Sequence, residues 1–521
     1  MTARSKHAAL EQAAAKAAAW LRQHAGQQSG QQSGHTARLT GDTRRLRQGD
    51  VFFAYVLGNQ RLSTDARPYI GEALARGAAA VVYESRGYEW PHGDAVPHLP
   101  IEGLERLAGP IAAAWYGNAA RGLAITGITG TNGKTSCSQW LARVLQATGT
   151  RCATIGTLGS GFPDALQHTG FTTPDAVQLQ DSLAELHAAG AAAVAMEVSS
   201  HGLEQGRVAG TPFQVAVLTN LTQDHLDYHG SMAEYEAAKT LLFHWPRLQA
   251  AVINRDDAMG RRLLAGGMAA RQVIEYGIGG PAGPTGFSGG AAWLRATGVT
   301  ATPTGTVFKV DGSFGSAEVA TPLIGEFNVS NLLAVLGAAL ANGVGWDAAL
   351  AALRALRPVD GRMELFGGHE GPLAVVDYAH TPDALEKTLN ALRPVVAARQ
   401  GRLWCVFGCG GDRDPGKRPQ MGAVAERLAD EVVLTSDNPR SEDPQAILDA
   451  IADGMQDFRR GRQIEDRAAA ILYAVKHAGA NDVVLVAGKG HEATQEIQGR
   501  KRPFSDREHV RLALAARGVS A

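Results

Sequence analysis

A glycine-rich stretch, GITGTNGKTSCSQWL from Gly127 to Leu141, contains the residue types that bind phosphate. Backbone N–H groups of such a loop and of the helix after it can converge on an anion, while Lys134 can add a positive charge and Thr135 can reach a magnesium ion. The common pattern G-x-x-x-x-G-K-[ST] is not met, because Ile128 stands where that pattern has its first glycine. The stretch predicts a mononucleotide phosphate site, with an ordinary strand, turn and helix as the alternative.

Further along the chain, several residues could coordinate a metal ion. Glu197 ends the apolar run AAAVAMEV, where a carboxylate could bind Mg²⁺ opposite the phosphate loop. The segment LTNLTQDHLDYHGSMAEYEAAK contains Asp224, His225, His229 and Lys239. Single histidines are usually structural, which is the alternative for His229. A lysine in such company is unusual, because an ammonium group repels magnesium unless it has been chemically altered.

In the last third of the chain, four unusual segments each follow a predicted strand: DYAH, GCGGDR, SDNPR and GKGHE. The carboxyl ends of parallel strands share one edge of a sheet, so these loops should converge on one crevice. Arg413 and Arg440 could bind carboxylates, and Asp437 and Glu492 could bind an ammonium group. A ligand with acidic and amino groups fits this mixture, although SDNPR alone could simply start a turn at its proline.

The elements that must position these residues alternate between strand and helix. An apolar, β-branched strand over 123–129 precedes the glycine loop, and Trp140, Leu141, Val144 and Leu145 recur at helical spacing after it. The predicted fold class is α/β with three domains. These are a small α/β unit over 1–117, a nucleotide-binding α/β domain over 118–358, and a Rossmann-like parallel sheet over 359–521.

Composition limits the class of protein. Lysine plus arginine (50) nearly cancels aspartate plus glutamate (51), which argues against a nucleic-acid-coating protein. The four cysteines form no disulfide framework or zinc pattern, so we expect free thiols in a reducing compartment. The N-terminus predicts a surface helix without the apolar core of a signal peptide, and apolar runs are too short to cross a membrane. We therefore expect a cytoplasmic protein.

Two low-complexity stretches predict loops or linker-like insertions. One is QQSGQQSG at 27–34, and the other is a run rich in glycine, proline and threonine from Gly277 to about Thr306.

These features occur within a series of segments that resembles the Mur ligase family, in particular its diaminopimelate-adding members. In chain order the segments are DTRRLRQGDVFFA, TGTNGKT, TTPDAVQLQ, MEVSSHGL, LTQDHLDYHGSM, GEFNVSN, GRME, DYAHTPDAL, FGCGGDRDPGKRP, SDNPRSEDP and AGKGHE. The resemblance covers almost the whole chain. It also accounts for the glycine spacing, because TGTNGKT is similar to this family's own form of the phosphate loop.

The resemblance implies an ATP-dependent amide ligase of peptidoglycan precursor synthesis. Such an enzyme adds meso-2,6-diaminopimelate to the D-glutamyl γ-carboxylate of UDP-N-acetylmuramoyl-L-alanyl-D-glutamate through an acyl phosphate. The three domains would bind the UDP-muramyl substrate, ATP and the amino acid in turn. The expected partners are these small molecules, without nucleic acid, and the chain is expected to be a monomer.

The resemblance also implies roles for individual residues. ATP would be bound by Gly130, Thr131, Asn132, Gly133, Lys134, Thr135, Ser136, Asn328, Arg362 and Asp377. One Mg²⁺ would be held by Thr135 and Glu197, and another by His225 and Lys239, whose amine would carry a CO₂-derived carbamate. Lys134, Glu197, His225 and Lys239 would be the catalytic group.

Substrate residues are implied in the same way. The UDP end would meet Thr43, Asn59 and Gln60, and the muramyl peptide would meet Thr172, Thr173, Ser199, Gln205 and Arg207. The diamino acid would meet Arg413, Asp437, Asn438, Pro439, Arg440, Gly488 and Glu492. The chain departs from the family pattern at Thr43, where serine is common, and at Phe171, where asparagine is usual.

Three alternatives stay open at this point. A folylpolyglutamate-synthase-like ligase would share the fold and the acyl-phosphate chemistry, and a lysine-adding muramyl ligase would differ only in the crevice of the third domain. A nucleotide-gated binding module would hydrolyse ATP without making a bond.

Overall fold

The computed structural model describes residues 3–25, 37–59, 61–280, 290–302, 305–457 and 461–519. The glutamine/glycine tract at 27–34 and the predicted site residue Gln60 lie outside these ranges, as do 281–289 and 303–304 of the second low-complexity stretch.

The first sheet has four parallel strands in the order β1-β2-β5-β6. They are β1 (Leu39–Thr40), β2 (Val51–Ala54), β5 (Ala80–Glu84) and β6 (His98–Ile101), and a separate hairpin consists of β3 (Val56–Gly58) and β4 (Ser63–Asp65). The helices are α1 (Ala3–His24), α2 (Ile70–Ala75) and α3 (Leu104–Trp115). As predicted, α1 lies at the surface, and it buries one face that includes Ala14, Ala18 and Leu21.

The second sheet has 11 strands in the order β10-β9-β8-β11-β7-β12-β13-β14-β15-β16-β17. Neighbouring strands from β8 to β15 in this order are parallel, and the margins are antiparallel. The strands are β7 (Ala124–Thr129), β8 (Cys152–Gly156), β9 (Gly159–Phe162), β10 (Ala165–Gln167), β11 (Ala193–Glu197), β12 (Phe213–Leu218), β13 (Ala250–Asn254), β14 (Gln272–Ile278), β15 (Ala292–Thr302), β16 (Gly305–Gly312) and β17 (Gly315–Thr321).

Helices cover both faces of this sheet. They are α4 (Lys134–Ala147), α5 (Ala176–Ala188), α6 (Ser200–Glu204), α7 (Leu226–His229), α8 (Met232–Thr240), α9 (Ala258–Gly266), α10 (Glu326–Ala341) and α11 (Trp346–Arg354). The strand and helix predicted around the glycine loop are confirmed as β7 and α4. Trp140, Leu141, Val144 and Leu145 are buried, because this face of α4 packs into the core beside α10.

The loop predicted over Gly277–Thr306 is wrong for most of its described length. Residues 292–302 form β15, which pairs with β14 on one side and β16 on the other. Leu294 and Ala296 are buried in the core, and β-branched residues continue the strand toward Thr302. The high glycine and threonine content led to the prediction of a loop, although this segment is a strand that packs side chains into the core.

The third sheet has six strands in the order β18-β19-β23-β20-β21-β22, with only β18 antiparallel to its neighbour. They are β18 (Glu364–Gly367), β19 (Leu373–Asp377), β20 (Leu403–Phe407), β21 (Glu431–Leu434), β22 (Gly461–Gln463) and β23 (Val483–Ala487), followed by the hairpin β24 (Thr494–Ile497) and β25 (Arg500–Pro503). The helices are α12 (Pro382–Arg399), α13 (Lys417–Leu428), α14 (Pro444–Ala452), α15 (Arg467–His477) and α16 (Asp506–Ala515).

The α/β fold class is therefore confirmed, with three separate sheets. The domain limits at 117/118 and 358/359 stay a prediction. All four cysteines are buried with free thiols. Among the described residues, no helix combines the length and the apolarity that a membrane crossing requires.

Candidate active site

The glycine loop after β7 has a backbone that only glycine accommodates. Gly130 and Gly133 both have positive φ, of 149° and 86°. A Cβ at Gly130 would collide with Thr219 Oγ1, and one at Gly133 would collide with the side chain of Asn331. The loop is held further by Asn132, whose N–H donates to Asn220 Oδ1 at 2.9 Å. The backbone is thus fixed so that the N-terminus of α4 opens toward the loop, as a phosphate site requires.

Lys134 and Lys239 meet at this loop from different helices. Lys134 Nζ donates to the carbonyl oxygens of Gly130 and Thr131, both at 2.8 Å, and Lys239 Nζ donates to Gly130 O at 3.0 Å. Burial lowers the pKa of both lysines, and for Lys239 the charge of Lys134 lowers it further. Lys239 is 1% exposed and lies 4.4 Å from the ring centroid of Tyr235.

Thr135, Glu197 and Arg362 form one hydrogen-bonded group. The Thr135 hydroxyl donates to Glu197 Oε2 at 2.9 Å, and Arg362 Nη2 donates to Thr135 Oγ1 at 3.2 Å. Glu197 also accepts from Thr157, through its N–H at 2.8 Å and its hydroxyl at 3.1 Å. Both predicted ligands of the first magnesium ion therefore lie together beside the phosphate loop, next to Ser136 in the first turn of α4.

His225 lies in a group of aromatic side chains beneath the phosphate loop. Its ring packs edge-on against His201 at 4.8 Å and against Tyr235 at 6.0 Å. The His225 side chain is 45% exposed and its Nε2 lies 3.4 Å from Asp224 Oδ2. Desolvation by the surrounding protein outweighs this carboxylate and lowers the pKa of His225 to about 4, so its ring is neutral at pH 7. A neutral imidazole is the form that binds metals. His229 is buried, and its Nε2 lies 2.9 Å from Ser200 Oγ, which supports the structural alternative for this histidine.

In the described part of the chain, no three histidine, cysteine, aspartate or glutamate residues lie close enough together to hold a metal ion. A magnesium ion at either predicted position would therefore depend on other oxygens. Magnesium commonly takes one or two protein carboxylates and completes its shell with water and substrate phosphates. The sparse protein ligands fit this behaviour.

The remaining predicted ATP residues, Asn328 and Asp377, are buried, and Asp377 lies close to Arg362. Asp377 accepts from the N–H groups of Met363 at 2.8 Å and Ala379 at 2.9 Å, and burial is the main cause that raises its pKa. Asn328 Nδ2 donates to the carbonyl of Ile324 at 2.9 Å. The Arg362 guanidinium lies 4.2 Å from the ring centroid of Tyr378, and its Nε is buried without a partner in the described residues.

The residues predicted for the muramyl peptide form a connected network on the other side of Glu197. Thr173 Oγ1 donates to the carbonyl of Glu197 at 3.1 Å and accepts from Ser199 N at 3.0 Å. Arg207 donates to Thr173 O at 3.2 Å and to Gln205 Oε1 at 2.8 Å. The Thr172 hydroxyl lies 3.0 Å from that of Thr157. Phe171, next to Thr172, is 47% exposed.

The first domain reaches this region through the β3–β4 hairpin. Asn59 Nδ2 donates to Tyr228 O at 3.3 Å, and Arg61 donates to His229 O and to Glu234 Oε2, both at 2.9 Å. Thr43, also predicted to meet the UDP end, is buried in a 3₁₀ turn over Thr43–Arg45. Asn59 therefore lies at the central domain, and among the described residues no hydrogen bond joins its side chain to Thr43.

The loops after β20, β21 and β23 lie together at the edge of the third sheet. The fourth predicted loop, after β19, joins them, because Gly488 N donates to Asp377 O at 3.1 Å and Lys417 Nζ donates to His380 O at 3.0 Å. Arg440 has a φ of 54°, and its Nη1 donates to Gly411 O at 2.6 Å. The side chains of Arg413 and Arg440 both lie near Gly410. The carbonyl of Pro439 lies against Gly411 and leaves no room for a side chain at that position. Two arginines thus lie together beside the loop after β20.

The acidic and amide groups lie on the loops after β21 and β23. Asp437 is 7% exposed, and its Oδ2 would lie 2.5 Å from a Cβ at Gly488, so glycine is needed there. Asn438 Nδ2 donates to Glu492 Oε2 at 2.8 Å. Groups of both signs therefore share the edge of the sheet where ligands bind in such folds.

The comparisons with known proteins agree with this geometry. Residues 128–339 match the model of the Mur ligase middle domain, and residues 361–490 match that of the Mur ligase glutamate ligase domain. The chain belongs to the Mur ligase family. Members of this family use ATP and Mg²⁺. A UDP-N-acetylmuramoyl-L-alanyl-D-glutamate--2,6-diaminopimelate ligase from Ralstonia nicotianae is 65% identical over 503 residues, which cover 96% of both chains.

Solved structures extend the likeness to other members of this fold. A UDP-N-acetylmuramoyl-L-alanyl-D-glutamate--2,6-diaminopimelate ligase matches with a TM-score of 0.63 and 36% identity, covering 94% of this Mur ligase and 96% of that chain. A folylpolyglutamate synthase from Mycobacterium tuberculosis matches with a TM-score of 0.58 and 20% identity, covering 73% of this chain and 92% of its own. The second likeness shows the shared fold alone.

Several residues of this Mur ligase that support the site were not predicted. Lys489 is fully buried between the loops after β21 and β23, and Gln495 Nε2 donates to Asp437 O at 2.9 Å. Arg467 and Asp506 form a buried ion pair at 2.7 Å beneath the same loops. Lys489 lies inside the GKGHE segment, so the sequence could have indicated it. Arg467, Gln495 and Asp506 lie outside every quoted segment.

Proposed function

We propose that this chain adds meso-2,6-diaminopimelate to the D-glutamyl γ-carboxylate of UDP-N-acetylmuramoyl-L-alanyl-D-glutamate, with ATP as the phosphoryl donor. The observation that carries the proposal is the 65% identity, over 96% of both chains, to a ligase named for that reaction. The product is a precursor of peptidoglycan. The fold of the third domain supports an amino-acid site, because its charged loops meet at one sheet edge.

The chemistry explains why a phosphate loop is needed for an amide bond. A carboxylate is a poor electrophile, so transfer of the γ-phosphoryl group from ATP first converts it to an acyl phosphate. The amine of the diamino acid then attacks the acyl carbon, and inorganic phosphate leaves while the nitrogen loses a proton. Phosphoryl transfer needs mostly positioning and charge neutralisation. The loop residues 130–136 would position the phosphates, and Lys134 would neutralise their charge.

Thr135 and Glu197 are suited to hold one magnesium ion, because their oxygens lie 2.9 Å apart and magnesium prefers oxygen ligands. His225 and Lys239 would hold the other. Bound magnesium would neutralise phosphate charge and orient the transferred group. Arg362 reaches the first pair from the third domain and would bind nucleotide at the same time.

Lys239 fits a carbamate better than an ammonium group. Its side chain is 1% exposed, lies beside Lys134, and forms no ion pair with any described residue. Burial and the neighbouring charge lower its pKa well below the usual value, which favours the neutral amine. A neutral amine adds through its lone pair to CO₂ and loses one proton, which gives an anionic oxygen ligand. Such a group would remove the repulsion between Lys239 and a metal ion.

The substrates would then meet at Glu197. The network of Thr172, Thr173, Ser199 and Arg207 would hold the muramyl peptide on one side of this residue, and the phosphate loop lies on the other. We expect the chain to act as a monomer. Because ATP and a UDP-linked precursor are consumed, we place the reaction in the cytoplasm.

An ATP-turnover assay with each combination of substrates tests the proposal. We expect ADP to form rapidly only when the UDP-muramyl dipeptide and diaminopimelate are both present, with one amide bond made for each ADP. A nucleotide-gated binding module would instead hydrolyse ATP without the muramyl substrate. A folylpolyglutamate-synthase-like ligase would turn over only with a folate and glutamate. Either result would contradict the proposal.

A further inference from the structure

Lys489 is a buried lysine that has no role in the proposed reaction. It follows β23, and its side chain is 0% exposed. Its ammonium group donates to Glu492 Oε2 at 2.7 Å and to Asn438 Oδ1 at 3.1 Å. These two partners belong to different loops of the crevice. Lys489 therefore joins the loop after β21 to the loop after β23.

The amide of Asn438 is held on both of its polar atoms. Its Oδ1 accepts from Lys489 and also from the N–H of Glu496 at 3.0 Å, and its Nδ2 donates to Glu492 Oε2 at 2.8 Å. A carbonyl oxygen has two lone pairs, so this Oδ1 has no capacity left to accept from a ligand. The second N–H of Asn438 suits a carboxylate better than an ammonium group.

The charges of the crevice can now be assigned to pairs. Lys489 and Glu492 neutralise each other at 2.7 Å. Arg467 is paired with Asp506, so Asp437 beside Gly488 supplies a negative charge, and Arg440 beside Gly411 supplies a positive charge. The far end of meso-diaminopimelate carries one ammonium and one carboxylate group, which matches this arrangement. The ion pair between Lys489 and Glu492 therefore fixes the direction of the Glu492 carboxylate oxygens.

We propose that Lys489 is a positioning residue for the diamino acid. By holding Glu492 and Asn438 in one arrangement, it lets the crevice recognise the ammonium group at the far end of the substrate. Its own side chain is 0% exposed, so it acts through these partners and not by touching the ligand. The inference rests on the proposed function and extends it to Lys489, which is not among the residues that the family resemblance implies for the diamino acid.

The test compares two substrates in the complete enzyme with the change Lys489→Met. Methionine has nearly the same length but carries no charge and no donor. One substrate is meso-diaminopimelate, and the other is 2-aminopimelate, which keeps the far carboxylate and lacks the far amine. We expect the KM for diaminopimelate to rise by about 10-fold or more, and the preference for it over 2-aminopimelate to fall by a similar factor. The KM for ATP should change little.

A matched control is Lys476→Met, because Lys476 is exposed on α15 in the same domain. It should leave both substrates unaffected. If Lys489→Met kept the wild-type preference, or lost activity equally with both substrates, the proposal would be overturned. Where the methionine variant does not fold, Lys489→Gln is measured in the same way. Failure of both to fold would show a purely structural lysine and overturn the proposal as well. Wild-type enzyme that does not use diaminopimelate would contradict the proposed function itself.

Discussion

Lys134 and Lys239 donate to the same carbonyl oxygen, that of Gly130, at distances of 2.8 and 3.0 Å. Two ammonium groups at one oxygen repel each other, and neither lysine forms an ion pair with a described residue. Burial disfavours the charged form of a lysine, and a neighbouring cation disfavours it further. One of the two is therefore expected to be neutral, and the fully buried Lys239 is the better candidate.

We predict that Lys239 carries a carbamate and that Lys239→Ala nearly abolishes ligation. Small carboxylic acids added to the variant should restore part of the activity, because they supply the missing oxygen ligand. Enzyme grown or equilibrated with ¹³C-labelled bicarbonate should show a carbamate carbon signal by NMR. Lys309→Ala is the control, since Lys309 lies on the surface and pairs with Asp311. An active Lys239→Ala variant together with an unlabelled wild-type protein would exclude this modification.

Lys134→Ala should separate catalysis from stability. The lysine neutralises charge in phosphoryl transfer, so we expect the single-turnover rate of ADP formation to fall by about 10²-fold or more. Its two hydrogen bonds to loop carbonyls contribute to stability, and we expect their loss to lower the free energy of unfolding by at most about 2 kcal/mol. Urea unfolding measures the second effect. A decrease of several kcal/mol with little change in rate would identify Lys134 as structural.

The positions of both sites follow from local sequence. The phosphate loop lies between a β-branched strand and an amphipathic helix, and the charged loops of the third sheet each follow a buried strand. These patterns depend on neighbours along the chain, which is why β7, α4 and the edge of the third sheet could be predicted.

The supporting contacts could not be predicted in this way. Lys489 meets Asn438 across 51 positions of sequence, and Arg467 meets Asp506 across 39. Such pairs exist only once the strands are ordered in the sheet. The segments SDNPR and GKGHE mark Asn438 and Lys489 separately, but no local pattern indicates that the two residues meet. A lysine between two glycines is ordinarily an exposed turn residue, whereas here the turn directs it inward.

His491 should make the stability of the fold depend on pH. Its ring lies against Tyr378, with 5.1 Å between centroids, and its Nδ1 has no hydrogen-bond partner in the described part of the chain. Burial is the main cause that lowers the pKa of His491 to about 3. In an unfolded chain the pKa of a histidine is about 6.5. Below about pH 6.5 the unfolded chain binds a proton at His491 that the folded chain does not bind, so the free energy of unfolding falls as pH decreases. Above that pH this histidine has no effect on stability.

We predict that His491→Gln reduces this loss. Between pH 7 and pH 5 the variant should lose less unfolding free energy than the wild type, by up to about 2 kcal/mol. Urea unfolding at the two pH values measures the difference, with His477→Gln as a control for an exposed histidine. Equal losses in wild type and His491→Gln would show that this ring is solvated in the folded protein.

The most direct test of diaminopimelate ligation is a comparison of steady-state kinetics with meso-diaminopimelate and lysine, in the wild type and in Arg440→Ala. The two amino acids differ by one carboxylate at the far end, and Arg440 is held at the crevice by its bond to Gly411 and by backbone pairing with Glu496. An arginine that a bound ligand covers without pairing its charge is costly, so the wild type should reject lysine. Arg440→Ala should raise the KM for diaminopimelate by about 10²-fold, on the order of 3 kcal/mol, with little change for ATP. Efficient use of lysine by the wild type, or unchanged diaminopimelate kinetics in the variant, would contradict the account.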